Sequence, residues 1–99
     1  MMEIHICNRS GSLLRAFAVG DAEEVIIGRD EGCDIQIDAR SVSREHCCIE
    51  ADGDEMYVRD LGSSAGTVYN GTPVDRLRLQ DGMEIVVGPA RLKFFESGI

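Results

Sequence analysis

Apolar residues in this chain come only in short runs, and turn-forming residues interrupt them at close intervals. The runs are Ile4 to Cys7, Leu13 to Val19, Val25 to Ile27, Ile35 to Ile37, Cys47 to Ile49, Met56 to Val58, Thr67 to Tyr69, Leu77 to Leu79, Ile85 to Val87 and Leu92 to Phe95. Between them stand Ser10-Gly11, Asp52-Gly53, Asn70-Gly71, Asp81-Gly82 and Gly88-Pro89, pairs that favour tight turns. The longest stretch free of glycine and proline, Cys33 to Asp52, has apolar residues at 33, 35, 37, 42 and 47 to 49. That spacing fits two strands around a polar loop over 38–46 and not the stripe of a helix. Asp34-Ile35-Gln36-Ile37-Asp38 alternates with the period of a half-buried strand. The pattern predicts an all-β chain, an antiparallel β-sandwich of about ten to eleven short strands. The 99 residues read as a single domain, with no repeat, linker or low-complexity segment.

Charge narrows the function classes. Eighteen acidic residues against ten basic ones give a net charge of −8, which argues against nucleic acid or an anionic membrane as partner. No apolar run approaches membrane-spanning length and the first residues lack a secretory layout, so a soluble cytoplasmic protein is expected. Cys7, Cys33, Cys47 and Cys48 form no CxxC pair, so neither a metal nor any other cofactor is expected. Reduced thiols serving as small apolar fillers fit them better.

Nine of the ten cations are arginine, and Arg29, Arg40 and Arg44 fall close together. Loops of a sandwich gather at its ends, so three polar loops can converge: Gly28-Arg29, Ser43-Arg44-Glu45-His46, and Asp60-Leu61-Gly62-Ser63-Ser64-Ala65-Gly66-Thr67. Arg29 offers a planar fork of donors, Ser43 and Ser64 offer hydroxyls, and Arg44 a second charge. Two arginines nearly neutralise a phosphate, which carries about −1.5 to −2 charge at neutral pH. The same residue types permit other readings. Arg29 can pair with Asp30 or Glu31, Ser43 and Ser64 can form turns, and Asp60 can fix a turn. Ser43, His46 and Asp60 are also the residue types of an acyl-transfer triad, although no GxSxG elbow is present.

The order and spacing of these loops resemble the forkhead-associated (FHA) domain, a reader of phosphothreonine peptides, from the first strand to Phe94-Phe95. The resemblance implies a non-catalytic module for signalling or assembly whose partner is a phosphothreonine-containing protein. By this resemblance Arg29 and Ser43 grip the phosphate, with Arg44 and Ser64 assisting. Ala65 and Arg40 fall where the peptide is contacted, and Arg40 hints at an acidic ligand position. Gly28, His46, Gly66, Thr67 and Asn70 are expected as structural support, with His46 ordering its loop from behind. Ala65 departs from the family, which usually has an asparagine there to clamp the peptide backbone. Losing one or two hydrogen bonds of about 0.5–1.5 kcal/mol each weakens binding roughly tenfold to a hundredfold. The departure also admits an alternative, a domain of this fold that binds partners or itself without phosphate.

Overall fold

A computed structural model describes residues 2–19 and 24–96. The strands are β1 (Met2–Cys7), β2 (Leu13–Ala18), β3 (Glu24–Gly28), β4 (Ile35–Gln36), β5 (Cys47–Asp52), β6 (Glu55–Asp60), β7 (Thr67–Tyr69), β8 (Thr72–Pro73), β9 (Arg76–Arg78), β10 (Glu84–Val87) and β11 (Ala90–Glu96). They form a six-stranded sheet ordered β2-β1-β11-β10-β7-β8 and a five-stranded sheet ordered β4-β3-β5-β6-β9. No helix occurs among the described residues.

The core lies between the sheets and takes every second residue of the central strands. Ile4 and Ile6 of β1, Ile27 of β3, Cys47 and Ile49 of β5, Val58 of β6, Ile85 and Val87 of β10, and Leu92 and Phe94 of β11 are all buried. This is the alternation that the apolar runs predict. Cys47 is the small apolar filler expected, and burial pushes its thiol up to about 12. On the outer face of the five-stranded sheet, Arg59 pairs with Glu24 and Glu50, and Arg76 with Glu50 and Asp52.

Two features depart from the pattern reading. β3 and β4 pair in parallel, so that sheet is mixed and not wholly antiparallel. A tight turn makes this geometry reachable, since Cys33 N–H donates to Asp30 O at 3.0 Å. Asp34 then accepts the Ile26 N–H on Oδ2 at 2.8 Å, doing the work of a ladder bond where β4 is too short. The second departure is β8, which no apolar run marks. Asn70 (φ 49°) and Gly71 (φ 78°) form the primed turn that the Asn-Gly pair predicts. That turn folds Thr72 back onto Tyr69 and Pro73 onto Val68, with proline tolerated on an edge strand.

Strand register puts the predicted loops at one pole. β10 ends at Val87, which pairs with Thr67 at the start of β7 and Ala90 at the start of β11. Ile27 near the end of β3 pairs with Cys47 at the start of β5, which pairs with Asp60 at the end of β6. Thr67 Oγ1 donates to Asp60 Oδ1 at 2.8 Å, so the ends of the two sheets meet there.

Candidate functional site

Gly28 sets how closely the first two loops approach. A β-carbon at this position would lie 2.1 Å from Arg44 O and 2.9 Å from Glu45 Cα, so only glycine fits. The next residues are then laced to the β4–β5 loop. Arg29 N–H donates to Ser43 O at 2.9 Å and Asp30 N–H to Arg44 O at 3.1 Å. The Arg29 side chain is held from the same loop, its Nε donating to Val42 O at 3.0 Å. Gln36 Nε2 donates to Arg29 O at 3.1 Å. One edge of the guanidinium is therefore fixed, and its terminal nitrogens have no protein partner among the described residues.

His46 joins the second loop to the third. It is fully buried, and its Nδ1 accepts the Ser43 N–H at 3.1 Å. The ring proton therefore sits on Nε2, which donates to Gly66 O at 2.8 Å. Leu61 N–H donates to His46 O at 2.9 Å, and Ser64 N–H to Ser43 Oγ at 3.1 Å. The Ser43 hydroxyl thus accepts from the third loop and keeps its own proton to give away. Asp60 shapes that loop by accepting from the Gly62 and Ser63 amides at 3.0 Å, from the Ser63 hydroxyl, and from Thr67 Oγ1. Burial pushes the Asp60 carboxyl up, but these four donors outweigh it and hold the group below the ordinary carboxylate range.

Arg29 and Arg44 share a shallow depression of about 340 Å³, walled also by Asp30, Glu31 and Gln36. Ser43 and Ser64 lie outside those walls, joined to each other and tied to Arg29 through the backbone. Among the described residues, no carboxylate lies within ion-pair range of Arg29, Arg40 or Arg44, whereas Arg59, Arg76, Arg78 and Arg91 are all paired. The alternative in which Asp30 or Glu31 neutralises Arg29 does not hold. Leaving charged donors unpaired on a chain so rich in carboxylates keeps them available to an external anion. Ser64, Ala65 and Arg40 are exposed, with Arg40 on the turn closed by Val42 N–H to Ala39 O at 3.0 Å. Gly66 and Thr67 stand where the third loop joins β7, and Asn70 lies at the other end of β7, away from the loop cluster.

The triad arrangement is absent. Both His46 nitrogens are taken by the Ser43 amide and the Gly66 carbonyl, and Asp60 bonds Ser63 and Thr67. Glu24, Cys48 and Glu50 bring ligand atoms within 4.8 Å of one another on the outer face. Arg59 bridges both carboxylates at 3.7 and 3.2 Å, which makes the group an ion-pair network. Motif reading places Val42 with Arg40 and Ser41 among residues facing the ligand, whereas its side chain is buried and its part is the carbonyl that orients Arg29; it misses Gln36, which braces the Arg29 backbone. A lone apolar residue inside the polar loop was the one signal for Val42.

The FHA domain model matches residues 25–88. The chain belongs to the FHA family. A relative, the glycogen accumulation regulator GarA of Mycolicibacterium smegmatis, is 42% identical over 67 residues, covering 68% of this chain and 42% of that protein. The oxoglutarate dehydrogenase inhibitor of Corynebacterium jeikeium is 39% identical over 77 residues, covering 78% of this chain and 54% of that protein. The chain thus spans about half the length of these curated relatives. The FHA domain of FhaA, solved in complex with the intracellular domain of Rv3910, superposes with a TM-score of 0.82 at 29% identity, over 95% of this chain and 99% of that one. An FHA structure from work on phosphothreonine-dependent FHA interactions gives a TM-score of 0.81 at 28% identity, over 99% and 98%. β1, β2 and β11 of this FHA domain lie wholly outside the matched stretch, yet they are built into its six-stranded sheet.

Proposed function

We propose that this FHA domain is a non-catalytic module that takes a phosphothreonine-bearing segment of a partner protein into the loop pole, for signalling or assembly. The observation that carries the reading is the convergence of Arg29, Ser43, Arg44 and Ser64 on interlocked loops, with Arg29 and Arg44 free of carboxylate partners among the described residues. In this reading Arg29 takes two phosphate oxygens through its terminal nitrogens. The Ser43 hydroxyl donates a further bond, Arg44 adds charge from the rim, and Ser64 closes the cradle with its hydroxyl. Ala65 and Arg40 border the peptide on either side, while Gly28, His46, Gly66, Thr67 and Asn70 hold the scaffold. The FHA unit takes in the whole chain, since strands from both ends complete one sheet. Free thiols and the lack of any membrane-crossing helix among the described residues support a cytoplasmic setting.

The test is binding of a phosphothreonine peptide library, measured by fluorescence anisotropy against Arg29→Ala. Two charge-assisted hydrogen bonds of about 1.5–3 kcal/mol each predict a loss of at least a hundredfold. Dephosphorylated peptides serve as the control. A partner bound equally by wild type and Arg29→Ala would remove phosphate from the account and favour the phospho-independent alternative.

A further inference from the structure

The chain holds two asparagines, Asn8 and Asn70, whose side-chain amides are held very differently. Asn8 precedes Arg9, and its Oδ1 accepts the Ser10 N–H at 3.1 Å, the Ser10 hydroxyl at 2.8 Å and the Ser12 N–H at 2.9 Å. Asn70 precedes Gly71 at the exposed tip of the β7–β8 turn, and its side chain has no hydrogen-bond partner among the described residues. The Gly71 N–H is equally unpaired among them, since the two turn residues lie beyond the last ladder pair, Tyr69 with Thr72. A β-carbon built on Gly71 would meet nothing within 4 Å, so its nitrogen is open to solvent. A free side-chain amide next to a free, uncrowded backbone nitrogen is the arrangement that lets the chain cyclise on itself. Asp52-Gly53 and Asp81-Gly82 share the spacing, but Asp52 is engaged by Arg76 at 3.2 Å and Asp81 by the Glu96 N–H at 2.9 Å. An ionised carboxylate is also a poorer electrophile than an amide.

The turn also reaches the cradle through the segment that leaves it. After Thr72 and Pro73 pair with Tyr69 and Val68, the Val74 N–H donates to Thr67 O at 2.8 Å and Asp75 O accepts the Asp60 N–H at 2.8 Å. Asp60 and Thr67 are the two ends of the loop that carries Ser64. Pro73 lies beside Gly66 in that loop, where a β-carbon on the glycine would meet Pro73 Cβ at 3.8 Å. Residues 72–75 therefore brace both ends of the third loop. Their course depends on Asn70, the one non-glycine residue at positive φ (49°) among those described. A backbone lengthened by one carbon at that position cannot keep the primed turn.

We infer that Asn70 is a site of spontaneous deamidation, and that isoaspartate formed there unseats residues 72–75 and loosens the third loop; only the consequence for peptide binding rests on the phosphopeptide reading above. The Gly71 nitrogen, deprotonated by hydroxide, attacks Asn70 Cγ. The N–Cγ bond forms as the Cγ–Nδ2 bond breaks, and ammonia leaves. Water then opens the cyclic imide at either carbonyl to give aspartate or isoaspartate, with one water consumed and no redox change. Wild-type protein aged at mildly alkaline pH, digested and read by mass spectrometry, should carry acid at position 70 and retain the amide at position 8. Hydrogen exchange on the isoaspartate fraction should show the Asp60 and Val74 amides opening about tenfold faster than in fresh protein, the factor that corresponds to one net hydrogen bond. Fresh Asn70→Asp adds the same charge on an ordinary backbone, and should exchange as the wild type does because aspartate tolerates positive φ. An amide retained at position 70, or conversion at position 8 as fast, overturns the inference. So does an isoaspartate fraction whose Asp60 and Val74 amides stay protected, or equally fast exchange in Asn70→Asp, which would assign the effect to charge. Where fresh wild type binds a phosphothreonine peptide, the isoaspartate fraction should bind it more weakly, and equal affinity breaks the link from turn to cradle. A fresh wild type that binds no phosphopeptide sinks the phosphopeptide reading, while the mass and exchange results still decide the deamidation site.

Discussion

Gly28→Ala isolates the step that brings the first two loops of the cradle together. The added methyl would sit 2.1 Å from Arg44 O, 2.8 Å from Arg44 C and 2.9 Å from Glu45 Cα. All three are backbone atoms, so no flexible side chain can swing aside. The β4–β5 loop must move off β3, and the bonds from Arg29 N–H to Ser43 O and Asp30 N–H to Arg44 O lengthen or break. Overpacking of this kind costs about 1–3 kcal/mol, and two weakened backbone hydrogen bonds add about 0.5–1.5 kcal/mol each. A loss of about 2–6 kcal/mol is a large share of the 5–15 kcal/mol typical of a domain. Urea titration followed by circular dichroism should show the midpoint falling by about 2 M, for a slope of 1–3 kcal/mol per M. Gly32→Ala is the matched control, because its β-carbon would meet only Asp30 Oδ1 at 3.9 Å. That variant should be neutral or gain about 0.4–1 kcal/mol from the stiffer unfolded chain. The two effects therefore differ in sign. If Gly28→Ala matches the control in stability and in phosphopeptide affinity, the close approach of the two loops does not hold the cradle.

His46→Ala should destabilise by about 3–5 kcal/mol, because it leaves a cavity and strands the Ser43 amide and Gly66 carbonyl; calorimetry that finds the variant within 1 kcal/mol of wild type would contradict the two-sided bridge. Ala65→Asn should tighten phosphothreonine peptides roughly tenfold without changing inorganic phosphate affinity, and titration calorimetry separates the two. Asp60 has a folded-state pKa below its unfolded one, so its contribution is present above the unfolded value and fades as pH falls through the folded value. The wild type should lose stability more steeply below pH about 4 than Asp60→Asn does, and parallel denaturation curves across that range would show the carboxylate is not held by its donors.

How much of this was legible in the sequence differs between the core and the edges. The central strands could be read because each alternates and each ends at a turn residue whose chemistry is local. Asn70-Gly71 is the clearest case, since the primed turn needs positive φ at both positions and the pair supplies it. β8 escaped the pattern because Thr72 and Pro73 are exposed and pair only through that turn. The parallel β3–β4 pair escaped because it depends on the Asp34 carboxylate reaching Ile26, a contact that no periodicity encodes. The run from Leu13 to Val19 read as an ordinary strand, and apolar pattern alone could not tell that it would be an exposed edge.

In the loops, residue identity was legible and connectivity was not. Arg29, Ser43 and Ser64 stand out because charged and hydroxyl side chains cluster at three adjacent connections. Nothing in the spacing says that Ser43 would accept a bond from Ser64, or that a valine carbonyl would orient Arg29. Each uses a backbone group on one side, and every residue type but proline offers the same backbone groups, so composition cannot signal them. His46 is the instructive exception. A residue with two ring nitrogens, set three positions after a serine in a loop too polar to bury itself, has to spend both on neighbouring backbone if the loop is to close. Its partners lie on two different loops, the Ser43 amide on its own and the Gly66 carbonyl on the next. A single buried side chain therefore ties the loop that carries Ser43 to the loop that carries Ser64, so the arrangement on which the proposed cradle depends is set from inside the fold.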